Sequence, residues 1–260
     1  LILKKNALKV VISGASSGLG LSLARYYLRR GAIVAVFARR SNLLHFLNLE
    51  FPNQVYCYPL DVRNTAEIQE AAHRFITNIG CPDIVIANAG VSVGTLTDHP
   101  EDIPSFQTVM DVNVVGMMNT FCPFVAEMVK RKKGTLVGIS SIAGFRGLPG
   151  AGAYAASKAA AITYLESLRI ELRKTGVKVV TICPGYIKTQ MTVNNPFTMP
   201  FIMETDDAAE RIAIVIKRQK PFAVVPWQMG IIMNILKTLP IYLYDRLLVN
   251  APRKPRGTLK

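Results

Sequence analysis

An α/β fold, with a mostly parallel sheet covered by helices on both faces, is predicted by three features of the sequence. Short apolar runs rich in β-branched residues alternate with longer segments of helical periodicity along most of the chain. A glycine-rich turn joins the first such run to the first helix. Polar residues capable of chemistry recur just after strand candidates, where an open parallel sheet forms its ligand cleft. At 260 residues the chain is long enough for one sizeable core and too short to need two.

The first strand is read at residues 8–13, a run rich in β-branched side chains, and a helix at 21–30 follows it. Residues 33–38 supply the second strand. Further strands fall at 54–58, 83–87, 135–140, 178–183 and 223–225. Further helices fall at 65–79, 104–130, 152–174 and 206–218, the last with Thr205 or Asp206 as N-cap. Strands separated by helices are joined by right-handed crossovers, which makes them parallel. No internal repeat or low-complexity tract interrupts this rhythm.

Between the first strand and helix lies Gly14-Ala15-Ser16-Ser17-Gly18-Leu19-Gly20. Glycines let the main chain approach a pyrophosphate, and a helix N-terminus favours its negative charge. The spacing differs from the commonest dinucleotide fingerprint, Gly-x-Gly-x-x-Gly, but its place between strand and helix marks a dinucleotide site. The second strand should end beside the adenosine ribose. A carboxylate there would bind the ribose hydroxyls and repel a 2′-phosphate; this chain has Ala38-Arg39-Arg40 instead. A guanidinium suits a phosphate. NADP is therefore expected over NAD, with Arg39 on the 2′-phosphate and Arg40, Ser16 and Ser17 beside it. The bland alternative is that the two arginines open a solvated helix.

Tyr154 and Lys158 are spaced i, i+4, so on a helix they leave the same face one turn apart. A free phenol has a pKa of about 10, too high for efficient proton exchange at neutral pH. An ammonium beside it favours the phenolate, so the pair is a candidate general acid/base.

Seven stretches now stand in one order: Ser13-Gly14 to Gly20, Leu60-Asp61-Val62, Asn88-Ala89-Gly90, Asp111-Val112-Asn113-Val114, Ile139-Ser140-Ser141, Tyr154-x-x-x-Lys158 and Pro184-Gly185. Together they resemble the short-chain dehydrogenase/reductase family over roughly residues 8–225. Ser13 stands where that family usually has threonine, and Ala87 where a second asparagine is frequent. The resemblance implies a Rossmann-like, doubly wound, mostly parallel sheet of seven strands. It also implies an oxidoreductase interconverting a ketone and a secondary alcohol with NADP(H). In such a site Tyr154 passes the proton, Lys158 lowers its pKa and binds the nicotinamide ribose, Ser141 holds the substrate oxygen, and Asn113 anchors a water leading from Lys158 to solvent. Ser140 is the neighbour most easily mistaken for Ser141. The resemblance further assigns Asp61 and Val62 to the adenine, Asn88, Ala89 and Gly90 to the cofactor cleft, and Pro184, Gly185, Ile187 and Thr189 to the nicotinamide border. Residues 1–225 are expected to form this domain, with a substrate cover at about 189–205.

The segment 189–203 carries no charge and includes Met191, Val193, Phe197, Met199, Phe201, Ile202 and Met203, which suits a lipophilic substrate. The small residues of 147–152 should leave the pocket roomy. Acyl-chain, sphingoid and steroid-like ketones fit this reading, and so does a 3-oxoacyl-carrier-protein reductase. A non-catalytic NADP-binding regulator is the competing class, but it has no need of a complete catalytic set.

The net charge of +14 is concentrated: residues 211–260 carry ten Lys or Arg against Asp245 alone, leaving +5 for the first 210. Residues 221–236 lack any ionisable group, yet as one helix they would reach only about 24 Å against a hydrocarbon core of about 30 Å. Pro226 interrupts them. The basic, apolar extension 226–260 reads either as a shallow contact with an anionic membrane surface or as an arm packed on the core or a sister subunit. Its basic tail lacks the aromatic platform or groove motif of a nucleic-acid binder. Four scattered cysteines and three scattered histidines read as reduced, mostly buried thiols and no metal site. No signal peptide is apparent, and a cytoplasmic homodimer or homotetramer, with possible peripheral membrane contact, is the expected setting.

Overall fold

The computed structural model describes residues 7–193 and 195–257. Residue 194 of the expected cover and the ends of the two expected segments, 1–6 and 258–260, lie outside the described residues. Seven strands form one all-parallel sheet in the order β3-β2-β1-β4-β5-β6-β7, as expected. They are β1 (Lys9–Ser13), β2 (Ile33–Ala38), β3 (Val55–Pro59), β4 (Ile84–Ala87), β5 (Gly134–Ile139), β6 (Val177–Pro184) and β7 (Phe222–Val225). Chain order reverses between β1 and β4, where Ile12 lies opposite Val36 on one side and Ile86 on the other. That switch point opens the cleft at the carboxyl ends of the strands.

The period-2 alternation of each strand feeds two cores. Val10, Ile12, Val34 and Val36 pack with α1 (Gly18–Leu28), α2 (Ser41–Glu50) and α7 (Thr205–Lys217). Val11, Ala35 and Phe37 pack on the other face with α3 (Thr65–Ile79), α5 (Gly116–Lys130) and α6 (Gly152–Glu171). Phe37, Phe75, Phe121 and Phe124 are fully buried there. Each such side chain contributes about 1.5–3 kcal/mol of burial free energy, which is why this layer fixes the site above it.

Three local expectations are corrected, and one further helix, α2, is added. The helix read at 104–130 is two helices, α4 (Ile103–Met110) and α5, joined by a π turn at Asp111–Val115. The N-cap position of α7 is Glu204, which pairs with Lys188, and not Thr205 or Asp206. The helix α2 takes Arg40 as its N-cap residue. The thiols are not mostly buried: only Cys183 is, Cys57 and Cys81 are partly covered and Cys122 is exposed. By length and apolarity the run Pro100–Lys130 could cross a membrane, but half of its most apolar window is buried inside the protein.

Two of the four prolines of the C-terminal segment 226–260 start helices. Pro226 and Pro240 occupy the N-cap positions of α8 (Trp227–Thr238) and α9 (Ile241–Leu248), where a missing N–H removes no helical hydrogen bond. Met229 and Met233 of α8 bury against Ile142. Arg146 donates to the carbonyls of Leu236 (2.8 Å) and Leu239 (3.0 Å), and its guanidinium lies 3.9 Å from the Tyr244 ring centroid. Beyond α9 the chain turns back across the cleft side of the sheet. The Gly94 N–H donates to the Pro255 carbonyl (3.0 Å), and Arg256 grips Asp102 through two hydrogen bonds of 2.8 and 3.1 Å and reaches Glu101 at 2.7 Å.

Candidate active site

The glycine turn is a cradle with no space for side chains. A Cβ on Gly20 would stand 2.3 Å from the Gly14 carbonyl oxygen, and one on Gly14, whose φ is +70°, would stand 2.6 Å from the Ala89 Cα. The turn is held by β4: the Asn88 amide donates to the carbonyls of Ser13 (3.0 Å) and Gly14 (3.2 Å). Ser13 Oγ accepts from the main-chain N–H groups of Asn88 and Ala89. Serine supplies the same oxygen as the threonine usual in the family, so that substitution leaves the lock closed. A cleft of about 590 Å³ runs from Gly14, Ser16, Ser17, Gly18, Leu19 and Gly20 past Asn88, Ala89 and Gly90 to Ser141, Tyr154, Lys158, Pro184, Gly185, Ile187 and Thr189. Its size is that of a small-molecule or cofactor site.

At the end of β2, Arg40 Nη2 donates to Ser16 Oγ (2.8 Å) and Ser17 Oγ (2.6 Å). Arg39 and Arg40 both line the cleft. The two readings of these arginines coincide, since Arg40 opens α2 and faces the glycine turn together. Asp61 also lines the cleft, but its carboxylate is held by Arg63 at 2.7 Å, which keeps its pKa below the usual carboxylate range. Val62 is buried, and its methyl would meet a Cβ on Gly116. Val62 also lines the cleft, next to Asp61.

Tyr154 and Lys158 leave one face of α6, and the Lys158 Nζ lies 5.7 Å from the Tyr154 ring centroid. Ser141 follows β5 at the N-cap of a short turn, Ile142–Gly144, where its Oγ accepts from the Ala143 N–H. A Cβ on Gly144 would strike the Lys158 main chain at 2.7 Å, so that turn sits hard against α6 and brings Ser141 to Tyr154. The Ser140 hydroxyl instead donates to the Lys158 carbonyl (2.7 Å), which separates the two serines into a strut and a site group. Burial holds the Tyr154 phenol above its ordinary pKa, against the pull of a hydrogen bond with Ser141. Burial also lowers Lys158, to about 8, and its ammonium donates to the Ile139 carbonyl at 3.0 Å. Lys158 thus stays near the ring while its ammonium is held by the Ile139 carbonyl.

Asn113 sits in the π turn, fully buried. Its Oδ1 accepts from the Val91 N–H (2.8 Å), and its Nδ2 donates to the Val91 carbonyl (3.0 Å) and to Ser157 Oγ (2.9 Å). The π turn displaces one residue out of helical register and so aims this amide at the neighbouring strand end. The side chain expected to anchor a water is committed to joining three elements. Oδ1 still borders the space above Gly90, whose added Cβ would lie 3.2 Å from it and 3.5 Å from Lys158 Nζ.

On the substrate side, Thr189 packs against Gly18, so the cover begins on the cofactor turn itself. Beside the small residues of 147–152 a cavity of about 650 Å³ opens, lined by Gly147, Leu148, Pro149, Gly152, Tyr244 and Leu248. Arg253 of the C-terminal arm closes in on Gly150, where a Cβ would lie 2.8 Å from its Cβ. The same arm brings in a residue that sequence reasoning had counted only as tail charge. Lys254 Nζ donates to Ser92 Oγ (2.8 Å) and lies 5.9 Å from the Tyr154 ring centroid. No local pattern places it there, because 100 positions of sequence separate it from Tyr154.

Comparison with known proteins decides the family. The sequence matches the short chain dehydrogenase family over residues 8–198. The chain belongs to that family. An uncharacterized oxidoreductase of Myxococcus xanthus is 41% identical over 238 residues, 90% of this chain and 94% of that protein. The ketoacyl reductase HetN of a Nostoc species is 32% identical over 196 residues, 74% of this chain and 68% of that protein. Among solved structures, a short chain dehydrogenase from Burkholderia cenocepacia, determined in complex with NADP, matches with a TM-score of 0.80. It is 25% identical and covers 94% of this chain and 98% of that one. The resemblance read from seven short motifs and the fold expected from it are both confirmed, and this short-chain dehydrogenase is an oxidoreductase.

Proposed function

We propose that this short-chain dehydrogenase interconverts a ketone and a secondary alcohol on a lipophilic substrate, using NADP(H). The observation that carries the reading is a single cleft joining a glycine cradle, an arginine-tipped second strand and the Ser141–Tyr154–Lys158 group. Gly14, Gly18 and Gly20 would admit the pyrophosphate against the N-terminus of α1, and Arg39 and Arg40 the 2′-phosphate. When bound, the nicotinamide supplies or accepts a hydride.

The protein's own part follows from its geometry. Burial keeps Tyr154 protonated at neutral pH, so its hydroxyl is an acid ready to give a proton to a carbonyl oxygen that gains negative charge. Ser141 holds that oxygen by a hydrogen bond that strengthens as the charge develops. Lys158 stabilises the phenolate left behind, and in the oxidation direction the same groups take the proton back. Asn113 positions α6 against the strand ends. Met191, Val193 and Phe201 are exposed along the cover and offer the apolar surface that favours a lipophilic substrate. A 3-oxoacyl group is a specific instance, supported by the basic surface and the ketoacyl reductase relative.

Two further readings rest on surfaces. Phe106, Val115 and Met118 on α4, the π turn and α5 are exposed and suit a homodimer or homotetramer contact. Trp227, Ile231 and Ile235 on α8, with Ile241, Tyr242 and Leu247 on α9, are exposed beside basic residues and suit an anionic membrane surface. NADPH consumption across a panel of ketones of graded polarity tests the central reading. Faster turnover of small polar ketones than of long-chain ones would remove the lipophilic assignment. Vesicle flotation with and without residues 226–260 tests the membrane contact, and sedimentation tests the oligomer.

A further inference from the structure

We propose that Lys254, carried back to the cleft by the C-terminal arm, is a specificity residue that binds a carboxylate on the substrate a few bonds from the reacting carbonyl. This rests on the reductase reading above and narrows its substrate to an apolar chain bearing an acidic group.

Position is the first argument. The Lys254 ammonium touches Ser92 Oγ at 2.8 Å and the Met191 carbonyl at 3.5 Å, and it faces the Tyr154 ring. Ser92, Met191 and Tyr154 all line the cleft, and the ammonium contacts the first two and lies 5.9 Å from the ring centroid of the third. With carbon–carbon bonds of about 1.5 Å, a carboxylate about two or three carbons from the reacting carbon has a reach comparable to that ring-to-ammonium distance.

Anchoring is the second. The residues on both sides of Lys254 are fixed at several points. A Cβ on Gly150 would contact Arg253, and a Cβ on Gly94 would stand 2.2 Å from the Lys254 carbonyl oxygen. Arg256 is fastened to Asp102, whose Oδ2 also accepts from the Leu96 N–H, and Ser105 Oγ donates to the Gly257 carbonyl. The clamp joins the tail to the loop that contains Ser92, so the lysine's location is built into the fold.

Charge is the third. Both hydrogen-bond partners of the Lys254 ammonium are neutral, and among the described residues no carboxylate forms a salt bridge with it. Desolvation lowers its pKa. A partly buried cation without a counterion is an unfavourable arrangement that an incoming anion would relieve. One ammonium and one hydroxyl match a monoanionic carboxylate better than a phosphate dianion. Lys158, the other cation by the ring, is already directed to the Ile139 carbonyl.

The test uses the full chain with NADP⁺ and two alcohols, 3-hydroxyhexanoate and its methyl ester. Wild type should favour the acid. Lys254→Met should lower kcat/KM for the acid by about tenfold or more, the value of one charge-assisted hydrogen bond, and leave the ester within about twofold. Lys254→Arg should keep most of the acid preference. Calorimetry on the NADP⁺-loaded Tyr154→Phe enzyme supplies a readout without turnover: 3-hydroxyhexanoate should bind, and adding Lys254→Met should weaken it by a similar factor. Equal losses on acid and ester, no acid preference in wild type, or equal binding with and without Lys254 would overturn the proposal. An enzyme that turns over neither alcohol and no ketone would sink the reductase reading, while the calorimetric comparison would still decide Lys254. Its place on a half-exposed arm lets the variants fold, which thermal melting checks.

Discussion

On the cofactor side of the cleft, main chain meets main chain: Gly14 and Gly20 approach Ala89 and each other so closely that a methyl group has no room. On the substrate side, loops and the returning tail meet through side chains, Arg256 on Asp102 and Lys254 on Ser92. The cofactor side stands on two buried cores beneath the sheet. The substrate side stands on an arm with few buried apolar residues of its own, exposed at Arg253, Pro255, Arg256 and Gly257. A site for a fixed cofactor can be built from rigid backbone; a site that sets substrate choice is built from residues that can change without unfolding the sheet.

The sharpest way to break this comparison is Tyr154→Phe. It removes the transferable proton and nothing from the cradle, so turnover should fall by roughly 10²–10⁴-fold, the range of a general acid, with NADPH binding retained by fluorescence titration. Loss of NADPH binding in that variant would show that the two sides are not separable. Gly20→Ala should act on the other side: its methyl meets backbone at 2.3 Å, and overpacking of this kind costs about 1–3 kcal/mol, read as a lower melting temperature together with weaker NADPH binding. Arg40→Ala should raise KM for NADPH by about tenfold and leave NADH nearly unchanged, because a charge-assisted contact to the 2′-phosphate is worth about 1.5–3 kcal/mol.

A pH profile sharpens the catalytic side. Burial lowers Lys158 to about 8, so its charge is present below that pH and lost above it. The reduction rate should therefore fall as pH rises through about 8. Lys158→Arg, which stays charged, should move that limb upward whatever it does to the maximum rate. The smallest effect is expected from Asp102→Asn. It loosens Arg256 while keeping an oxygen for the Leu96 N–H, so the sheet should melt nearly as before. Trypsin should then cut after Arg253 or Arg256 faster than in wild type. An unchanged digestion rate would mean that the arm is held by its main-chain contacts alone.

Much of the fold was legible because its signals are local. The strand run 33–38 is buried throughout and reads as a continuous apolar segment. The glycine turn and the Tyr154–Lys158 spacing carry their chemistry within one helical turn or one strand end. The misread elements fail for equally physical reasons. The short α2 has few apolar anchors, Leu44 and Leu47 alone being buried within it. The π turn at Asp111–Val115 has the composition of ordinary helix, and only the need to bring Asn113 to Val91 and Ser157 sets it apart.

The sequence by itself determined the family, the parallel sheet, the glycine turn and the placing of Tyr154 and Lys158 on one helix face. Each follows from residue type and short spacing, and short spacing fixes geometry once the helix or strand forms. Tertiary structure alone decided that Asn113 is spent as a tie, that Arg40 faces both Ser16 and Ser17, and that the tail turns back to set Lys254 beside Tyr154. Those contacts join residues tens to more than a hundred positions apart, and no local periodicity records which distant surfaces will meet when the cores close.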